Sequence, residues 1–235
     1  MSPVDGGEAH PRRERRERPE RPERPERPER LGLFGGSFDP IHRGHVEPVR
    51  AAAEQLALDR VLFLPTAVPP HKPSRRVAPA RRFAMVELAL LDEPLLQVDD
   101  FEMRGAASYT IDTVLAFADD RDLFLFLGSD SLLELDRWRR WREIVDRCSL
   151  VVLPRPGYEV RIEELAGPLR LAAGQGRLHW AEHGGWAVSS TGLRRDLAAS
   201  AGVPVGAEGA PSRPPPEEKL HPRVLQYIRK YGLYR

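Results

Sequence analysis

Cysteine is almost missing from this 235-residue chain: the single Cys148 excludes an internal disulfide framework and, without companions, a zinc cluster. Beside Ser149-Leu150-Val151-Val152-Leu153 it reads as core packing. No run of eighteen or so apolar residues occurs, and the first residues lack the apolar core of a secretory signal, so a cytoplasmic protein that does not enter a membrane is expected. Charge of one sign is missing too, with 36 Lys and Arg against 35 Asp and Glu. Residues 1–30 hold nine Arg, seven Glu and one Asp, which leaves 27 charges of each sign for the rest. That balance argues against a nucleic-acid footprint across the whole domain. A hydrophobic content of 41% over this length suits one ordinary globular domain with appendages.

The appendage is residues 1–30. From Glu17 a Glu-Arg-Pro repeat places proline at 19, 22, 25 and 28, and nothing apolar offsets the entropy of folding, so a disordered tail is expected. An arginine-rich arm for RNA is the alternative, weakened by the alternating glutamates.

Everything after it is organised around Leu31 to His45. The apolar run Leu31, Leu33, Phe34 stops at Gly35-Gly36, then Ser37-Phe38-Asp39-Pro40 turns the chain and His42, Gly44 and His45 open a helix, Val46 to Leu58. A strand, a glycine turn and a helix N-terminus aim free N–H groups and the positive helix end at one point, which suits a phosphate. His42 and His45 lie on one side of a helical turn, and either can donate to a phosphate oxygen. Singly, each of these residues is more often structural than functional.

The remaining strands read as Arg60–Leu64, Leu95–Val98, Leu123–Leu127 and Ser149–Leu153, with Arg177–Trp180 and Trp186–Val188 as shorter candidates. Between them lie the amphipathic helix Pro79 to Leu91, with Phe83, Met85, Val86, Leu88 and Leu90 on its apolar face, and a helix ending near Ala118 that Ser108 or Thr110 could cap. Gly128-Ser129-Asp130 repeats the strand-and-glycine pattern, so both glycine turns should line one crevice at the carboxyl ends of the strands. Asp130 suits ribose hydroxyls or an N-cap. In Arg137-Trp138-Arg139-Arg140-Trp141-Arg142, Trp141 has helical spacing with Ile144 and Val145, whereas Trp138 is free to stack on a flat ring. The stiff Pro69-Pro70-His71-Lys72-Pro73 loop offers Lys72 to a phosphate, or is a plain surface loop. Val188-Ser189-Ser190-Thr191-Gly192-Leu193-Arg194 opens a helix, Leu193 to Ala199, with Ser190 or Thr191 as cap and Arg194 facing the same anion. Residues 200–219 look like an exposed loop, and His221 starts a C-terminal helix with Val224, Leu225, Tyr227, Ile228 and Tyr231 apolar.

In order along the chain, Gly-Gly-Ser-Phe-Asp-Pro with His42-x-Gly-His45, Pro-Pro-His-Lys, Ser108-Tyr109-Thr110 with Asp112-Thr113, Gly128-x-Asp130 with Trp138, and Ser189-Ser190-Thr191 with Arg194 together resemble the nucleotidyltransferase superfamily, and within it the bacterial nicotinate-nucleotide adenylyltransferases. The resemblance covers Leu31 to Tyr234. Departures are Arg43 where asparagine is common and Gly192 inside the last signature. It implies an α/β fold, a Rossmann-like doubly wound parallel sheet in a single domain over 31–235 with a C-terminal helix. It implies transfer of AMP from ATP to nicotinate mononucleotide, giving deamido-NAD and pyrophosphate. His42, His45, Lys72 and Arg194 would be catalytic. Gly35, Gly36, Ser37, Phe38, Gly128, Asp130, Ser190 and Thr191 would join the histidines and Arg194 around ATP. Lys72, Ser108, Tyr109, Thr110, Thr113, Trp138 and Arg155 would hold the acceptor, with Trp138 against the pyridine ring. Mg²⁺ would come with ATP, without dedicated protein ligands; the expected partners are these small molecules, no nucleic acid and no membrane, with self-association left open. The rivals are phosphopantetheine adenylyltransferase, a cytidylyltransferase, a class I aminoacyl-tRNA synthetase and a non-catalytic nucleic-acid binder.

Overall fold

The computed structural model describes residues 27–67, 77–105, 109–182, 188–200 and 216–235. Six strands form one parallel sheet in the order β3-β2-β1-β4-β5-β6: β1 Glu29–Gly36, β2 Arg60–Pro65, β3 Leu96–Val98, β4 Arg121–Gly128, β5 Cys148–Leu153 and β6 Leu178–Trp180. The chain therefore builds outward from β1 in one direction and outward from β4 in the other, which is the doubly wound Rossmann-like arrangement expected. β1 and β4 lie side by side at the switch point, where such sheets leave a crevice beyond their carboxyl ends.

The pleat sorts the strand sequences. In β4, Leu123, Leu125 and Leu127 join one core while Phe124 and Phe126 join the other. β1 does the same, sending Leu31 and Leu33 to the first and Phe34 to the second. Gly32 faces the aromatic side, where an added Cβ would stand 2.7 Å from Val61 Cγ2 and 2.9 Å from Phe126 Cε2, so its missing side chain is what admits the ring. Four helices cover the phenylalanine face: α1 Arg43–Gln55, α2 Pro79–Leu90, α7 Ser190–Ser200 and α9 Pro222–Tyr231. The leucine face is covered by α3 Thr110–Phe117, α4 Ser129–Leu133, α5 Trp141–Arg147 and α6 Gly167–Gly174. Cys148 is buried in that second core, and burial pushes its thiol up to about 12.

Several boundaries differ from the sequence reading. β1 begins at Glu29, inside the stretch read as tail, where Glu29 bridges Arg60 and Arg121 at the amino ends of β2 and β4 and Arg27 pairs with Asp59. α1 starts a turn earlier, at Arg43, and ends at Gln55, where Ala57 with φ 47° breaks the helix; Pro48 thus falls in its second turn. Thr110 is the first residue of α3 rather than its cap, Asp130 sits inside α4 behind the N-cap Gly128, and Ser189 rather than Ser190 or Thr191 caps α7, its Oγ accepting from the Gly192 N–H at 3.1 Å. The end of the 200–219 segment is a short helix, α8 Pro216–Lys219, whose Lys219 is buried. Val188 is not in a strand, and Trp186 lies outside the described residues.

Candidate active site

The carboxyl ends of β1 and β4 open into a cleft of about 1280 Å³. Four segments far apart in sequence meet there: residues 35–45, the start of α3, the stretch around Trp138, and the start of α7. Five cationic side chains, Arg137, Arg139, Arg155, Arg194 and Lys219, line it against two carboxylates, Glu102 and Asp196, so a nearly neutral chain gathers positive charge where a polyanion would enter.

At the floor stand the two histidines. His42 is the N-cap of α1 and His45 its third residue; the His42 N–H donates to His45 Nδ1 at 3.3 Å and the rings stack 3.7 Å apart. Since Nδ1 of His45 accepts, its proton sits on Nε2, a neutral donor. Burial, reinforced by the facing His42 and by Arg155, holds His45 well below the usual imidazole range, and burial with Arg155 pushes His42 down to about 3. Both rings are therefore uncharged at neutral pH. The Phe38 ring backs His45 edge-on at 5.3 Å. Phe38 itself has φ 44°, a conformation that costs a bulky residue energy, and its ring reaches the core only because Gly36 has no side chain: a Cβ there would stand 2.9 Å from Phe38 Cζ. Both glycines line the cleft; Gly36 also makes room for the Phe38 ring, while Gly35 lies near the Glu102 carboxylate.

The turn 37–40 between strand and histidines is held from four sides. Arg82 of α2, 1% exposed, donates to the carbonyls of Ser37 at 2.6 Å, Thr66 at 2.5 Å, Ala67 at 3.0 Å and Val77 at 3.1 Å. Arg194 donates to the Asp39 carbonyl at 2.6 Å and to Thr191 Oγ1 at 3.0 Å. Ser190 Oγ donates to the Pro40 carbonyl at 3.0 Å, and the Tyr234 hydroxyl donates to the buried Asp39 carboxylate at 2.7 Å. The α7 residues read as anion ligands therefore also fasten the catalytic-looking turn, a role the sequence did not reveal.

On the other side of the cleft Gly128 lets an ion pair form: a Cβ would stand 2.3 Å from Asp130 Oδ1 and 2.6 Å from Arg155 Nε. Arg155 Nε lies 3.2 Å from Asp130 Oδ1 and Arg155 Nη1 donates to Oδ2 at 3.3 Å, so these two residues hold each other. Asp130 itself stands beside the cleft rather than among its lining residues. Tyr109, Thr110, Thr113 and Trp138 all line it. Thr113 Oγ1 donates to the buried Glu102 at 2.9 Å, and Arg139 lies 4.7 Å over the Tyr109 ring. Trp138 is half-buried against the leucine core, as is Trp141. Lys72 and Ser108 fall outside the described residues. Arg82, Glu102, Lys219 and Tyr234 were missed. Only Arg82 carried a local signal, its spacing from Met85, Val86 and Ala89 on the buried stripe.

The cytidylyltransferase-like family model matches residues 33–196. The chain belongs to the cytidylyltransferase-like family. One relative is a probable nicotinate-nucleotide adenylyltransferase of Serratia proteamaculans, 48% identical over 136 residues that cover 56% of this chain and 62% of that protein. A second, of the same name from Pectobacterium atrosepticum, is 38% identical over 214 residues, 86% of this chain and 96% of the relative. The match to the Serratia protein thus spans less than two thirds of its length, whereas the Pectobacterium match is nearly end to end. The fold is that of Plasmodium falciparum nicotinic acid mononucleotide adenylyltransferase complexed with NaAD, with a TM-score of 0.66 at 15% identity over 88% of this cytidylyltransferase-like chain and 97% of the other. No helix among the described residues is long and apolar enough to cross a membrane.

Proposed function

We propose that the chain transfers AMP from ATP to nicotinate mononucleotide, giving deamido-NAD and pyrophosphate, a step of NAD biosynthesis. The observation that carries this reading is the meeting, in one positively lined cleft at the β1–β4 switch point, of the two stacked histidines, the Tyr109–Thr113 segment with Trp138, and the start of α7. Its names come from relatives called nicotinate-nucleotide adenylyltransferases.

The chemistry asks little of a side chain. The acceptor's phosphate is already an oxyanion, so it attacks the α-phosphorus of ATP in line without a general base; the new bond is phosphate oxygen to α-phosphorus, and the bond to the bridging oxygen breaks to release pyrophosphate. The protein positions both nucleotides and stabilises charge on the phosphate oxygens. His45, as a neutral Nε2–H donor, and His42 meet the α-phosphate at the α1 N-terminus. Arg194 has guanidinium N–H groups left over from its two internal bonds, and these with Lys72 take further phosphate oxygens. Ser190 and Thr191 border the triphosphate, Gly35 to Phe38, Gly128 and Asp130 border the adenosine half, and Ser108 to Thr113, Trp138 and Arg155 enclose the acceptor. Mg²⁺ would come bound to ATP and offset the charge of its phosphates, needing few protein ligands.

The test is pyrophosphate release with ATP and Mg²⁺, comparing nicotinate mononucleotide, nicotinamide mononucleotide and phosphopantetheine. Preference for the first supports the reading. Release only with phosphopantetheine overturns the acceptor half, and no release with any acceptor overturns the enzyme.

A further inference from the structure

The Tyr234 hydroxyl reaches across 195 positions of sequence to donate to the Asp39 carboxylate at 2.7 Å. That carboxylate is 1% exposed, and the residue carrying it also supplies the carbonyl that Arg194 grips at 2.6 Å. Asp39 thus stands between the last turn of the chain and the cleft, with the His42 N-cap three residues on.

The path to this contact is built into the C-terminal helix. Val224, Leu225 and Ile228 bury α9 on the phenylalanine core, beside α2. Gly232 at φ 59° ends it, with the Leu233 N–H donating to the Ile228 carbonyl at 3.0 Å, a reversal that turns Leu233 and Tyr234 back toward the sheet. Tyr234 is itself at φ 64°, a conformation kept only where the surroundings fix it. Arg82, on the neighbouring α2, holds Ser37 at the other end of the same turn.

We infer that Tyr234 is a positioning residue for the reaction: through Asp39 it fixes the 37–42 turn, and with it the placement of His42, His45 and Arg194 around the α-phosphate. This rests on the function proposed above. A buried carboxylate without its donor pulls the turn out of register, and small displacements at a reacting centre cost rate more than binding.

Tyr234→Phe removes one oxygen and leaves the ring packing intact. It is expected to lower kcat about tenfold or more while KM for ATP stays within about threefold. Amide hydrogen exchange over 37–42 should quicken in the same variant while the strand amides keep their protection. On an Asp39→Ala background Tyr234→Phe should cost nothing further, since the pair is already broken. Ile228→Val, which loosens α9 without touching the contact, should keep the wild-type kcat. Wild-type kcat and unchanged exchange in Tyr234→Phe would overturn the inference, as would an equal loss on the Asp39→Ala background. If the wild-type protein turns over no acceptor, the functional reading has failed, and the exchange measurement alone decides the Tyr234 coupling.

Discussion

His45→Ala tests the catalytic reading at its centre. In the folded protein His45 Nδ1 is occupied by the His42 N–H at 3.3 Å, which leaves Nε2–H as the one group the ring can offer a ligand. Burial keeps the ring uncharged, so its contribution is a preorganised hydrogen bond and not a full positive charge. Removing one such donor from a site where charge develops costs about 2.7–4 kcal/mol, or roughly 10²–10³ in kcat. The substitution also leaves the His42 N–H without its acceptor at the helix N-terminus and strips the stacked ring from His42, at a further cost of about 1 kcal/mol of stability. Initial rates of pyrophosphate release should therefore fall by about 10² to 10³, while the ATP affinity read by titration calorimetry moves by less than about threefold. His45→Gln, whose amide can accept from His42 and donate outward, should recover part of the rate. A kcat for His45→Ala within about fivefold of wild type would refute a donor role, since that is less than one preorganised hydrogen bond supplies.

The same neutrality sets the pH dependence. With His42 at about 3 and His45 depressed with it, neither ring loses a proton between pH 5.5 and 8, so kcat/KM should show no fall as pH rises through 6.5; a falling limb centred there would mean that an imidazolium is required. Stability follows in the opposite sense from a raised group: the unfolded chain takes up protons on histidine near 6.5 while folded His42 does not until about 3, so acidification from pH 6.5 to 5 should cost about 1.6 kcal/mol at His42, visible in urea unfolding. Arg82→Met leaves four backbone carbonyls without their donor and should lower the unfolding free energy by about 3 kcal/mol. Gly36→Ala drives a Cβ into the buried Phe38 ring and should cost about 1–3 kcal/mol, whereas Gly128→Ala sets its Cβ against Asp130 Oδ1 and Arg155 Nε and should raise KM for the acceptor as the Asp130–Arg155 pair opens.

What could be read along the chain was whatever a short window contains. The alternation of leucine and phenylalanine in β4 specifies a strand buried on both faces, and the glycine turns at 35–36 and 128 mark where two such strands end. Those local patterns placed the strands and the ends that carry the cleft, while the doubly wound parallel sheet was implied by the resemblance to the nucleotidyltransferases. Missing from any window were the contacts that lock the site. Arg82 shares the buried stripe of α2, but its role could not be read there because its partners are backbone carbonyls on three other segments. Tyr234 lies 195 positions from Asp39, and no spacing rule joins them. The caps shifted by one or two residues because serine and threonine runs offer several candidate caps, of which Ser189 takes the one for α7.

Two of the four arginines lining the cleft, Arg194 and Arg155, show how the same residue type can be readied in different ways. Arg194 spends donors on a backbone carbonyl and a hydroxyl, both neutral, so it keeps its full charge and its remaining N–H groups for an incoming phosphate, and it need not move. Arg155 is paired instead with a carboxylate, its side chain 49% exposed and that of Asp130 31%. A pair so open to water is worth about 0–1 kcal/mol, which holds the guanidinium in place without withholding it from a ligand carrying more charge than Asp130. On the function proposed above, an entering nucleotide would meet one cation already fixed to the turn that bears the histidines, and a second that its own arrival would release. The first suits the phosphate that reacts, where geometry decides the rate. The second suits the phosphate that must be admitted, where the exchange of one anion for another decides affinity.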